Sequence, residues 1–81
     1  MGARPRTHSP LDGLLYDECK TAIRQARMCD RDEDIAELCL CERMAQSDVA
    51  ATLGIARSTI SRHLPDIESR VEHAAKKLGY I

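Results

Sequence analysis

The chain has 81 residues, enough for one small domain with a single hydrophobic core and too few for two. Its composition, 43% hydrophobic and 31% charged with four Gly and three Pro, is typical of a folded helical domain rather than a disordered chain. With no Phe, no Trp, two Tyr and a net charge of −1, it suits neither a module that stacks bases on aromatic side chains nor a uniformly basic binder of nucleic acid.

The chain opens with a segment that has nothing to bury and continues into a first helix. Residues 1–8 contain Gly, Pro and two arginines, Arg4 and Arg6, and are predicted to form a flexible basic arm. Residues 9–81 are predicted to form a single domain. Ser9-Pro10 is a typical helix start, because Ser can cap and Pro fits the first helical position. Apolar residues at helical spacing then predict a helix to about Met28: Leu11, Leu14, Leu15, Cys19, Ala22, Ile23 and Ala26.

Four further helices are predicted, and no segment alternates with the period of a strand. The second follows a cap at Asp30 or Asp32 and reaches about Met44. Gly54 ends the third as a left-handed stop, and Pro65 ends or kinks the fourth. The predicted ranges of the last three helices are 47–53, about 57–64 and 66–78. The prediction is an all-α bundle of about five helices.

Residues 46–64 have the features of a helix-turn-helix. Two short helices would meet at Gly54, because glycine accepts the positive φ that a tight turn needs. Ala50 is small where the two helix backbones approach each other. The wedge of core between the helices would consist of Val49, Leu53, Ile55, Ile60 and Leu64.

The second helix of this motif has a polar outer face without acids. On the side away from Ile60 and Leu64 it carries Arg57, Ser58, Ser61 and Arg62, all hydrogen-bond donors. Arginine can donate two hydrogen bonds to a guanine edge, and serine can contact any base. The pattern therefore predicts a helix that reads the major groove of double-stranded DNA. The alternative is a solvated helix of an ordinary bundle, whose outer face would more often mix Glu and Lys.

These residues resemble the helix-turn-helix of bacterial transcription regulators. The resemblance is carried by Val49-Ala50, Leu53-Gly54-Ile55 and Arg57-Ser58-Thr59-Ile60-Ser61-Arg62-His63-Leu64. With the continuation through Ile67 and Val71, the segment is similar to the LuxR-type (GerE-like) domain and to region four of sigma factors, over about residues 33–72. The resemblance implies a DNA-binding regulator with groove-facing residues Arg57, Ser58, Ser61 and Arg62. It also implies that Ser47, Thr59 and His63 lie near phosphates or in the helix packing.

The sequence departs from that pattern at three places. Ala56 stands where Ser or Thr usually caps the second helix, which costs about 1 kcal/mol of helix stability. Pro65 interrupts the run into the last helix and argues against one long continuous helix. Arg43-Met44 replaces the glycine that usually precedes the motif. The first helix, about 10–28, has no counterpart in the minimal domain.

Two accessory features each have a functional and a structural interpretation. Arg4-Pro5-Arg6 is similar to arms that some helix-turn-helix proteins place in the minor groove, but a disordered leader is the favoured interpretation. His63 could contact a phosphate, although a His beside a core Leu is more often packed and hydrogen-bonded within the protein.

The last helix carries an apolar stripe that could pack on the first helix of the same chain. Part of it could instead pair with a second subunit, since small helix-turn-helix proteins commonly bind palindromic sites as two-fold dimers. A homodimer is therefore predicted, with an interface on Ile67, Val71, Ala74, Ala75 and Leu78.

The four cysteines, Cys19, Cys29, Cys39 and Cys41, lack the paired C-x-x-C spacing of zinc and iron–sulfur sites. A disulfide framework would suit an exported protein, and the chain lacks the apolar start of a signal peptide. Reduced cysteine packs as a small hydrophobe, which is the favoured interpretation, and no cofactor or metal is predicted. The alternative is a redox or metal sensor that switches DNA binding.

No catalytic motif is present, so an enzyme is not expected. Residues 12–42 hold nine acids against four bases, so a polyanion would have to meet the arm or the C-terminal half. The acidic middle suits a second hypothesis, a sigma-region-four-like adaptor that binds RNA polymerase. No apolar run approaches the length of a membrane span, and a cytoplasmic, nucleoid-associated protein is predicted.

Overall fold

The computed structural model describes residues 10–81, so Arg4 and Arg6 of the predicted arm lie outside the described residues. The described part is helical and contains no strand, which confirms the all-α prediction. A short 3-10 turn, Pro10–Gly13, precedes α1, and a π-helical turn, Glu37–Cys41, continues α2. The α-helices are α1 (Tyr16–Ala26), α2 (Asp30–Ala36), α3 (Gln46–Leu53) and α4 (Arg57–Lys77). None of them combines the length and the apolar character that crossing a bilayer requires.

The N-terminal helix is shorter than predicted. The chain forms the 3-10 turn and then runs without helix through Leu14 and Leu15 before α1 begins. Gly13 lowers helix stability at the break. The Glu18 carboxylate accepts the backbone N–H of Leu15 at 3.0 Å, which stabilises the start of α1 there. Leu14 is buried as the periodicity predicts, whereas Leu15 is 68% exposed.

α4 is one helix of 21 residues, so the prediction that Pro65 ends the fourth helix is wrong. Pro65 has no N–H, and its ring disturbs the hydrogen bond that would reach the Ser61 carbonyl. The ring lies on the exposed face, where water can hydrate that carbonyl. On the opposite face a continuous apolar stripe is fully buried: Ile60, Ile67 and Val71. Packing of a whole helix face outweighs the loss of one backbone hydrogen bond.

The core is aliphatic and centres on α4, which packs against α1, α2 and α3. Its largest fully buried side chains come from all four helices: Ile23, Ile35, Val49, Ile60, Ile67 and Val71. This matches the composition, which offers no Phe or Trp for a core. α3 packs against α4 and against the π-helical turn, so α4 links α3 to α1 and α2.

The apolar stripe at the C-terminal half of α4 belongs to the core of the single chain. Ile67, Val71 and Ala75 are fully buried and Ala74 is 3% exposed, with α1 packed along α4. The prediction of a dimer interface on these four residues is therefore corrected, because their side chains are already covered within one chain. This agrees with the alternative in which the stripe packs on the first helix. Leu78 is partly buried at the edge of the same core.

Candidate nucleic-acid interface

α3 and α4 are joined by a three-residue turn, residues 54–56. Gly54 has φ of 70°, a left-handed conformation that strains any residue with a Cβ. Its N–H and that of Ile55 both donate hydrogen bonds to the Ala50 carbonyl, and the Ile55 bond is 3.1 Å long. These bonds give a carbonyl of the last turn of α3 its hydrogen-bond partners. The glycine stop predicted from the sequence is confirmed.

The two helices are held together by the predicted apolar wedge. Val49 and Ile60 are fully buried and Ala50 is 8% exposed, which allows the two backbones to approach. Leu53, Ile55 and Leu64 are partly buried at the margin of the same cluster. With these side chains facing inward, the opposite side of α4 faces solvent.

The four residues predicted to face the groove are all exposed: Arg57, Ser58, Ser61 and Arg62. Among the described residues neither of these arginines forms an ion pair. Asp66, the acid one turn after Arg62, lies instead 2.9 Å from Nε of Arg70. The first turn of α4 contains no acid. This face therefore presents two positive charges that no neighbouring carboxylate neutralises.

Ser61 is held in place by a residue of the preceding helix. Its hydroxyl donates a 2.7 Å hydrogen bond to Oε1 of Gln46, the first residue of α3. The bond links the start of α3 to the outer face of α4 and leaves the Gln46 amide group as a donor. Gln46 is a site candidate that the sequence analysis missed. Its position as the first residue of the motif was the available indication, because a contact across the turn depends on how the helices cross.

Both helices of the motif begin after an alanine. Ala45 precedes α3 and Ala56 precedes α4, and neither helix has a side-chain cap. The first N–H groups of each helix therefore lack a side-chain acceptor and carry the positive end of the helix dipole. Such ends attract phosphate oxygens. Ser47 is exposed in the first turn of α3, beside the equally exposed Asp48, whose charge weakens the attraction there.

His63 and Thr59 lie at the margin of this surface. Thr59 is half-buried, and its N–H donates to the Ala56 carbonyl at 3.0 Å. Nδ1 of His63 lies 4.0 Å from Oδ1 of Asp32 on α2. That oxygen is buried without a hydrogen-bond partner in the described structure, and Nε of Arg31 approaches it to 3.8 Å. The geometry favours the packed interpretation of His63, as a link between α2 and α4, over a phosphate contact.

The four cysteines are free thiols, of which Cys29 is exposed and Cys19 is buried. Burial, reinforced by a hydrogen bond with Cys19, raises the pKa of Cys41 to about 12. Burial and the nearby Glu68 carboxylate also raise the pKa of Cys39. A thiol that stays protonated is a poor nucleophile and a poor metal ligand. Within residues 10–81 no three His, Cys, Asp or Glu side chains are grouped so that they could hold a metal ion. These observations favour packing as the role of the buried cysteines.

The helix-turn-helix geometry is thus seen only in the structure of this chain itself. No known protein supports it independently: no family model, no curated protein and no solved structure matches the chain. The resemblance of residues 49–64 to LuxR-type domains and to region four of sigma factors stays a prediction.

Proposed function

We propose that this chain is a sequence-specific DNA-binding protein that regulates transcription, with the N-terminal part of α4 in the major groove. The observation that carries the proposal is the pair Arg57 and Arg62, exposed on the outer face of a helix that follows a glycine turn. On an ordinary surface helix, acids three or four residues away commonly balance such charges. Here the residue four after Arg57 is Ser61, and Asp66, four after Arg62, pairs with Arg70 instead. A face of guanidinium and hydroxyl donors suits the acceptor-rich edges of base pairs.

Phosphate contacts would come from the ends of the two helices. The uncapped starts of α3 and α4 direct N–H groups outward, and the Gln46 amide and the Ser47 hydroxyl are donors beside one of them. These contacts would set the orientation of the protein on the duplex, while Arg57 and Arg62 would read bases. The acidic α2, whose first turn holds Asp30, Asp32 and Glu33, packs against α4. In the cell, such a protein works at the nucleoid.

The proposal is tested by selecting bound sites from a pool of random duplex DNA. The matched control is the doubly substituted variant Arg57→Ala, Arg62→Ala, which changes exposed side chains only. We expect the unmodified chain to enrich a consensus with guanine at conserved positions and the variant to enrich none. A two-fold symmetric consensus would further show that two copies bind together.

Equal enrichment by both proteins, or by neither, would contradict the proposed reading face. Retention of RNA polymerase by the chain, together with no enriched sequence, would instead support the adaptor hypothesis.

A further inference from the structure

α1 and the C-terminal half of α4 border an open cleft of about 490 Å³ that the DNA-binding proposal does not use. Its polar lining consists of Gln25 from α1 and of Ser69, Arg70, His73 and Lys77 from α4, and two alanines complete it. Ser69 follows Arg62, the last arginine of the proposed DNA-binding face, by seven residues, which corresponds to about 10 Å along a helix. The cleft therefore begins about two helical turns beyond that face.

Among the residues that the structure describes, the lining of the cleft is basic and includes no carboxylate. Arg70, His73 and Lys77 follow one another at spacings of three and four residues, so their side chains project from one side of α4. Asp66 contacts Arg70 at Nε, 2.9 Å away. The remaining N–H groups of that guanidinium stay available, because arginine has five donors. Gln25 and Ser69 add neutral donors on opposite walls.

The shape of the cleft favours a small ligand over a nucleic-acid strand. A volume of about 490 Å³ lies within the range of sites for small organic molecules, roughly 300–1,000 Å³. A concave site with cations on one wall and an amide on the other can surround a compact anion. A phosphate backbone is instead usually contacted by side chains that protrude from the surface.

We propose that this cleft binds a small organic molecule with a dianionic group, either a phosphate monoester or a di- or tricarboxylate. Arg70 and Lys77 pair with the anion, and Gln25 donates a hydrogen bond to it from α1. The ligand joins α1 to α4 and stabilises the folded chain, since a molecule that binds only the folded state raises its stability. The proposal concerns a different surface from the DNA-binding face and does not depend on that function.

The test is thermal unfolding of the full chain in inorganic phosphate and in citrate, each compared with sodium chloride at equal ionic strength. We expect the midpoint to rise with the concentration of one or both anions. A response to phosphate alone identifies a phosphoryl ligand, and a response to citrate alone identifies a carboxylate ligand. Perturbation of the Gln25 and His73 amide resonances by the same anion would localise its binding to the cleft.

The matched variants are Arg70→Gln with Lys77→Gln, and the control Lys76→Gln. Lys76 is exposed on the same helix and does not line this cleft, so its removal reports the effect of overall charge. We expect the affinity of the double variant for the anion to fall by a factor of about ten or more, because both charge-assisted contacts are lost. The control should bind as the unmodified chain does.

A midpoint that rises no more in phosphate or citrate than in chloride would overturn the proposal. So would an equal response of the double variant and the Lys76→Gln control. If the double variant loses affinity for duplex DNA while neither anion stabilises the unmodified chain, the cleft contacts the DNA backbone and the small-ligand proposal is wrong.

Discussion

The hydroxyl of Ser61 on α4 donates a 2.7 Å hydrogen bond to Oε1 of Gln46 on α3. Because the bond joins the two helices of the motif, it orients both side chains on the proposed DNA-binding face. We expect Ser61→Ala and Gln46→Ala each to weaken binding to the selected DNA site. In the double variant the losses should fall short of their sum by about 0.5–1 kcal/mol, since the second substitution removes an interaction that is already broken. Binding titrations of the four proteins measure this coupling, and fully additive losses would show that the bond has no role in recognition.

Arg62 lies on the exposed face of α4, and the nearest acid along the helix, Asp66, pairs with Arg70. We expect Arg62→Ala to cost about 1–3 kcal/mol of specific binding and to relax the preference at one base position. Arg31→Ala is the control, because it removes an exposed arginine of α2 outside the motif. Titration of the selected site and of single-base variants gives both affinities and preferences. Equal losses in the two variants would mean that Arg62 contributes only net charge.

Gly54 adopts φ of 70°, while a Cβ added there would meet no atom within 4 Å. Gly54→Ala should therefore lower the free energy of unfolding by about 1–2 kcal/mol, entirely through backbone strain. Gly13 also has open space around it and no positive φ. Gly13→Ala should leave stability unchanged or raise it slightly, because alanine restricts the unfolded chain. Urea unfolding followed by circular dichroism measures both, and equal effects would contradict a backbone origin.

Pro65 lies within a continuous helix with its ring on the exposed side. Pro65→Ala restores a backbone hydrogen bond and removes a steric conflict, so we expect a gain of about 1–3 kcal/mol in the free energy of unfolding. Pro65→Gly restores the same N–H but has a poorer helix propensity, and its stability should lie about 1 kcal/mol below that of the alanine variant. A loss of stability in Pro65→Ala would indicate that the core packing requires a bend at this residue.

Cys41 should be much less reactive than the exposed Cys29. Burial and the hydrogen bond with Cys19 raise its pKa from 9.0 to about 12, so at a given pH it has roughly a thousandfold less thiolate than an ordinary cysteine. Exposed Cys29 should be alkylated first at mildly alkaline pH, which peptide mass spectrometry follows. Since the folded state holds this proton more tightly than the unfolded state, stability should fall as the pH rises from about 9 towards 12. If Cys41 were alkylated as fast as Cys29, the result would support the alternative of a redox sensor.

Local sequence patterns were sufficient to predict the motif. The glycine stop of α3, the inward positions of Val49 and Ile60 and the outward positions of Arg57 and Arg62 all follow from helical periodicity and turn chemistry within a few residues. The burial of Ile67 and Val71 follows from the same periodicity. The covering element, α1, was one of two alternatives that the pattern left open.

The features that were missed depend on contacts between distant parts of the chain. Pro65 disfavours a helix locally, but the packing of the whole apolar face of α4 overrides it. The bond between Ser61 and Gln46 and the approach of His63 to Asp32 depend on how helices cross, which periodicity does not specify. Leu15 matches the apolar spacing and is nevertheless exposed, because the helix begins one residue later, where Glu18 accepts the Leu15 N–H.

The continuity of α4 gives the molecule a lever. Its 21 residues span about 30 Å, from Lys77 beside α1 to Arg57 at the far tip. A rotation of the rod by about 5° at its base would carry that tip through roughly 2.6 Å, close to the length of a hydrogen bond. Such a displacement is enough to move the Arg57 guanidinium group into or out of hydrogen-bonding distance of a base edge. The packing of α1 against the other end of α4 would therefore affect the position of Arg57.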